Sequence, residues 1–118
     1  MRVAVASCRE RVCQRLDCAD ELVVFDVRDS RAHDRQDLDL REWPAHGRSA
    51  RIVRLEIDRL ICGAVSSFDE AGLDNSKVRL ISGVTGPIEA VITAVVSGAI
   101  ASGQSYWEEQ LDARRRDA

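Results

Sequence analysis

The strongest constraint on the fold lies in the first eight residues. Arg2-Val-Ala-Val-Ala-Ser-Cys8 is short, apolar and rich in small and β-branched side chains, which predicts a strand with at least one buried face. A second run of this kind, Glu21-Leu-Val-Val-Phe-Asp-Val27, follows closely, and consecutive strands are usually neighbours in one sheet. Cys8 closes the first run, Cys13 and Cys18 follow at an even pitch, and Cys62 closes a third apolar run, Arg59-Leu-Ile-Cys62. Thiolates are soft ligands suited to zinc, copper(I), or iron-sulfur and molybdenum-sulfur clusters. Soft donors grouped at strand ends therefore point to metal handling rather than substrate turnover.

A chain of 118 residues has the length of one ordinary domain, enough to bury about two thirds of the surface its unfolded form exposes. Its 17 basic and 20 acidic residues leave a net charge of -3, which does not supply the positive field that nucleic-acid binding exploits. The longest apolar stretch, Ile88 to Ala101, is interrupted by Glu89, Thr93, Ser97 and Gly98 and falls short of the roughly 20 residues of a membrane span. Arg9, Glu10, Arg11 and Arg15 arrive too early for an apolar signal run. A cytoplasmic location is expected, where thiols stay reduced and cysteines bind metal more readily than they form disulfides.

Residues 29–41 are polar apart from Ala32, Leu38 and Leu40, so a strand there belongs at a sheet edge, with a loop as the alternative. After Pro44 and Gly47, the cluster Ile52, Val53, Leu55 and Ile57 predicts a short amphipathic helix running into a strand over 59–63. Ser66 or Ser67 can cap a brief helix with Asp69 and Glu70 in its first turn and Gly72 at its end, before a strand over 77–81. Thr85-Gly-Pro87 opens a helix with Ile88, Val91, Ile92 and Val95 on one face and Gly98 as its stop. Ser105 can cap a polar final helix from Tyr106 to about Ala113. Strands first, then helix and strand in alternation, predict a three-layer α/β domain. A right-handed crossover would set 59–63 parallel to the opening strand, bringing Cys8 and Cys62 to one end of the sheet.

Four thiolates from Cys8, Cys13, Cys18 and Cys62 are the number a cluster requires. The alternative is that Cys8 and Cys62 are small buried apolar residues, with Cys13 and Cys18 incidental. The five-residue pitch matches neither ferredoxin nor zinc-knuckle spacings. Arg9, Arg11 and Arg15, interleaved with the thiols, would lower their pKa and offset an anionic cluster, or simply form a solvated face. His46 could add a nitrogen ligand from its turn. Ser82-Gly-Val-Thr-Gly86 lacks the lysine of a nucleoside-triphosphate loop and reads as a tight strand-to-helix turn. No carboxylate lies between Arg2 and Cys8 to hold the metals of a nuclease, and no nucleophile-elbow phrase supports a serine hydrolase. A protein-binding module using Tyr106 and Trp107 is the remaining class.

Several phrases in order resemble the dinitrogenase iron-molybdenum cofactor biosynthesis family, which includes nitrogenase accessory proteins and the small molybdenum-copper orange proteins. They are Met1-Arg-Val-Ala-Val-Ala-Ser7, the Ala19 to Val27 strand, Pro44-Ala-His-Gly47, Ile57-Asp-Arg-Leu-Ile-Cys-Gly63, Glu70-Ala-Gly72 and Thr85-Gly-Pro-Ile-Glu-Ala90, together covering residues 1–100. The resemblance implies a ribonuclease-H-like motif: a mixed five-stranded sheet of order 3-2-1-4-5, strand 2 antiparallel, with helices on both faces. The domain it covers runs over residues 1–102; the residues after Ser102 have no counterpart in the family and read, from their own pattern, as a helical tail over 103–118.

The chain departs from the family where a His-Phe-Gly-Arg-Ala phrase is frequent. Here Arg15 replaces the histidine and Cys18 the arginine, while Cys62 takes a position usually small and apolar. The function implied is non-catalytic: the chain would accept, hold or deliver a metal-sulfur cluster of iron-sulfur, iron-molybdenum or molybdenum-copper type between donor and acceptor proteins, as a monomer or homodimer. Cys8, Cys13, Cys18, Cys62 and His46 would be its ligands, with Arg11 and Arg15 as charge-compensating neighbours. The alternative is a member of the same fold that has lost metal and acts through protein contacts.

Overall fold

The computed structural model describes residues 1–106. They form a mixed sheet of six strands with three α-helices among the described residues. In chain order these are β1 (Arg2–Cys8), β2 (Arg11–Val12), β3 (Glu21–Arg28), β4 (Arg31–Asp39), α1 (Arg48–Val53), β5 (Arg59–Ile61), α2 (Ser67–Asp74), β6 (Arg79–Ile81) and α3 (Ile88–Val96). The main path runs β4-β3-β1-β5-β6, with β2 paired to β1 outside it. β3 is antiparallel to both β1 and β4, whereas β1, β5 and β6 run parallel.

The count of six corrects the expected five. Ser7 pairs with Glu21 of β3 on one side and with Val12 of β2 on the other. β2 therefore lies in the lane of β5, beyond the point where Val5 pairs with Ile61. The sequence hides this strand because its turn, Arg9-Glu10, carries positive φ at both residues (52° and 64°). Such a turn normally advertises itself with Asn or Gly.

Alternation along β1 builds two cores. Val3 and Val5 pack with Val23, Phe25, Ile61 and Ile81 under α3, through Ile88, Val91, Ile92 and Val95. Ala4 and Ala6 face the opposite way, with Leu22, Val24, Leu60 and Cys62 under Ile52 of α1 and Leu73 of α2. Helices thus cover both faces of the sheet. β4 is the polar edge strand, kinked by a bulge where the register shifts near Asp34 (φ 54°), which discourages further pairing along a free edge.

Two helix boundaries differ from expectation. α1 begins at Arg48 rather than near Ile52, because Gly47 in the left-handed region (φ 79°) turns the chain into the helix. Gly72 lies inside α2 and does not end it; a Cβ there would stand 2.9 Å from Ser49 Oγ, so this glycine lets α2 approach α1. Ser66 caps α2 by accepting from the Asp69 amide.

After α3, residues 103–106 return beside the loop that follows β6. Gly103 donates to the Ser82 carbonyl and Tyr106 to that of Thr85. The Tyr106 ring is buried in the α3 core, its hydroxyl bonded to Ala99 and Ala101. This corrects its expected role as a contact surface. Trp107 and the final helix expected as far as Ala113 lie outside the described residues. No helix of the described residues is long and apolar enough to cross a membrane.

Candidate functional site

In open α/β sheets the crevice beyond the carboxyl ends of the strands, where the connections diverge, is the usual place for a ligand. Here β1 feeds the loop toward β3 while β5 feeds the loop toward α2, so the divergence lies between residues 9–20 and 62–66. The two loops are zipped together. Ala64 donates to the Gln14 carbonyl at 2.7 Å and Leu16 donates to the Ala64 carbonyl at 2.9 Å. Gly63 lies so close beneath the Cys13 and Gln14 carbonyls that any Cβ would overlap them, a requirement that the phrase Cys62-Gly63 carries without announcing.

Cys8 and Cys13 come together on this rim. Cys8 pairs with Arg11 across the β1–β2 hairpin, and Cys13 donates its amide to Ala6 at 3.0 Å, so both side chains share the face that looks toward α1 and α2. The Cys13 thiol sits near enough to act on that of Cys8. Burial first, then the Cys13 thiol and the Asp20 charge, push the Cys8 thiol up to about 11, against a smaller pull from Gln14. Cys8 is half-buried and Cys13 buried.

The other candidate donors are placed differently. Cys18 is exposed at the end of a 3-10 turn, Leu16–Cys18. Asp17 holds its thiol above the ordinary range, with a small contribution from Cys13. Cys62 is wholly buried in the α1/α2 core, and burial, with Asp69 adding to it, pushes it up to about 12. His46 is exposed and stacks on Phe68 of α2 with ring centroids 4.6 Å apart. Among the described residues no group of three or more His, Cys, Asp or Glu side chains is arranged to hold a metal ion. Two neighbouring thiols on one face can present one edge to a soft metal, but they do not make a four-sulfur cage.

The interleaved arginines act only weakly on the thiols, and neither Cys8 nor Cys18 falls below the ordinary value. Arg15 grips Asp17 through two hydrogen bonds, at 3.1 and 3.0 Å, and its pull on Cys18 is the weakest of the influences there. Arg11 is exposed and lies opposite Cys8 and Pro87. The amide at the start of α3 is likewise occupied, since Ile88 donates to the Glu10 carbonyl at 2.9 Å. That contact, with Val12 donating to Gly86, anchors the strained turn.

Sequence reasoning missed Arg48. Its guanidinium is buried and faces backbone carbonyls: Leu16 (3.0 Å), Ala19 (2.7 Å), Leu40 (3.3 Å), Trp43 (3.5 Å) and Pro44 (3.3 Å). One cation thereby ties the cysteine-bearing loop to the end of β4 and to α1. Five separately unremarkable carbonyls become a site only when the chain folds, so no local pattern marks it. Beneath α1, the buried Asp69 carboxylate accepts from the Ser49 hydroxyl at 2.8 Å and the Ser66 hydroxyl at 3.3 Å.

No family model and no curated protein sequence matches the chain. Solved structures do. The crystal structure of PH0822 superposes with a TM-score of 0.77 at 15% identity, covering 86% of this chain and 94% of that one. The crystal structure of a protein from Methanocaldococcus jannaschii named a "putative dinitrogenase" gives 0.70 at 13% identity, covering 86% and 92%. Its NMR structure gives 0.70 at 14% identity with the same coverage. At such identities the likeness shows the fold.

Proposed function

We propose that this protein is a non-catalytic carrier that binds a metal-sulfur cluster, of iron-molybdenum or molybdenum-copper type, during cofactor assembly. Cys8 and Cys13 are the primary donors, and Cys18 is the exposed thiol that joins them when cargo arrives. The observation that carries the proposal is the placement of two soft donors on one face of the β1–β2 hairpin at the carboxyl end of β1, beside the point where the connections diverge. Support also comes from the sheet path β4-β3-β1-β5-β6, which suits the ribonuclease-H-like motif of the dinitrogenase cofactor biosynthesis family. A structural neighbour whose name places it in the nitrogenase field adds to this. Since one chain sets only two thiols side by side on one face, the remaining ligands of the cargo are its own sulfides, the donor or acceptor protein, or a second copy of this chain. His46 and Cys62 take supporting places, at the α2 surface and beneath the rim.

Anaerobic purification, an absorption spectrum and metal analysis test this. Iron, molybdenum or copper bound in the parent protein, and lost in Cys8→Ser and Cys13→Ser, is the expected result. A parent protein without metal even after reconstitution contradicts it. The second reading, a protein-contact module of the same fold, is favoured by one surface. Phe68 is 60% exposed against His46, and Arg51 lies over the neighbouring Trp43 ring at 5.4 Å.

A further inference from the structure

We propose that the cavity beside the start of α3 binds a small zwitterion of the α-amino-acid class, with its carboxylate at Ser7 and the first α3 amides and its ammonium at Glu21. The cavity has a volume of about 870 Å³ and lies between the β1–β2 turn, the start of β3, the end of β4 and the first turn of α3, a size in the ordinary range for small-molecule sites. It opens on the α3 side of the sheet, because Ser7 continues the alternation of Val3 and Val5 along β1. The site therefore stands apart from the thiol rim, at the margin of the apolar packing beneath α3.

Three donors in this cavity lack acceptors. α3 is nine residues long and has no side-chain cap. Its first amide, that of Ile88, is taken by the Glu10 carbonyl. The next two, of Glu89 and Ala90, make no hydrogen bond among the described residues, and the Thr85 and Gly86 carbonyls four positions before them accept from Tyr106 and Val12 instead. Free amides with a helix dipole behind them attract an anion. Ser7 points to the same ligand independently. It is only 2% exposed and lines the cavity, its hydroxyl has no hydrogen-bond partner among the described residues, and the oxygen is not sealed in but opens on the cavity. A bound acceptor relieves the cost of leaving such a hydroxyl unpaired.

The surrounding charges decide which anion fits. Arg35 is held by Asp37 and Glu89, and Arg41 by Asp39, so both cations are already neutralised. Arg9 and Arg11 remain, and so do the carboxylates of Glu10, Asp20 and Glu21; all five line the cavity without an ion pair among the described residues. A phosphate dianion would meet three uncompensated carboxylates, whereas a ligand with a cation next to its carboxylate meets complementary charge. Ser7 and Glu21 are directly paired between β1 and β3, which sets their Cβ atoms about 5 Å apart on one face. The Ser7 hydroxyl then donates to the ligand carboxylate while Glu21 accepts from the ammonium one carbon away.

Separate titrations of the full chain with L-alanine, L-methionine and L-glutamine, followed through backbone amide resonances, test this. At least one amino acid is expected to shift the Glu89 and Ala90 amides saturably. Its analogues lacking the ammonium or the carboxylate should bind about tenfold more weakly or worse. Ser7→Ala and Glu21→Gln should each weaken binding about tenfold, and Glu21→Gln should narrow the gap to the ammonium-free analogue. Glu21 is exposed, so its variant keeps the test open should Ser7→Ala disturb the strand. Phosphate or propionate acting as strongly as the amino acid, no saturable shift with any of the three, or unchanged affinity in Glu21→Gln overturns the proposal. Binding should be unaffected by Cys8→Ser, so this site stands or falls separately from the carrier function.

Discussion

The two faces of the sheet are built by opposite rules. Toward α3 the core is a continuous packing of Val, Ile and Phe without a cysteine or a buried charge among the described residues. Toward α1 and α2 it encloses Cys13 and Cys62, the Arg48 guanidinium and the Asp69 carboxylate, every fully buried side-chain nitrogen and oxygen of the described residues having a hydrogen-bond partner. One face needs only volume. The other holds a loop in place through directional bonds, and that loop carries two of the four thiols. The difference teaches that stability and chemistry are divided between layers, so substitutions on one should leave the other's signature untouched.

The largest effect should come from the packing face. Phe25→Ala removes a fully buried ring and should cost about 3–5 kcal/mol in denaturant unfolding. Native-state alkylation rates at Cys8 and Cys18 should remain those of the parent. A large change in thiol reactivity would show that the two faces are not separate.

Arg48→Met reverses the pattern. It leaves the Ala19 carbonyl without its donor and takes one of two from the Leu16 carbonyl, with an expected cost of about 2–3 kcal/mol, and it frees the loop, raising Cys13 alkylation about tenfold or more under native conditions. Loss of stability with unchanged Cys13 protection would mean that the 3-10 turn is held by other contacts.

The smallest effect, taken per pH unit, is a dependence of stability on pH. Cys62 is held at about 12 in the folded chain against an ordinary value of 9.0, so the folded state keeps its proton where the unfolded state releases it. Its contribution is therefore full below pH 9.0 and is lost as pH rises toward about 12, by roughly 1 kcal/mol per pH unit within that window. Thermal melts of the parent should fall across this range, and those of Cys62→Ala should fall less. Equal slopes would mean that other groups carry the dependence.

Much of the packing face was legible. The runs at Val3–Ala6 and Leu22–Phe25 announced central strands, the polar 29–41 segment an edge strand, and the Ile88, Val91, Ile92 and Val95 spacing a covering helix. The chemical face was less so, because its determinants are non-local. Arg48 is a core residue only through carbonyls donated by residues 16–44, and Gly72 looked like a stop signal but is a point of close helix approach. The cysteines were visible as a group, yet their even pitch said nothing of which would share a face. The β1–β2 register sets Cys8 and Cys13 on one face, while Cys62 faces the core and Cys18 faces water.

X-ray absorption at the metal edge of anaerobically loaded protein tests the central claim most directly. Sulfur neighbours of the metal that diminish in Cys8→Ser and in Cys13→Ser, but persist in Cys62→Ala, are predicted. A metal shell of nitrogen and oxygen alone, or one unchanged by either serine substitution, would contradict the assignment of this thiol pair as the place where cargo is held.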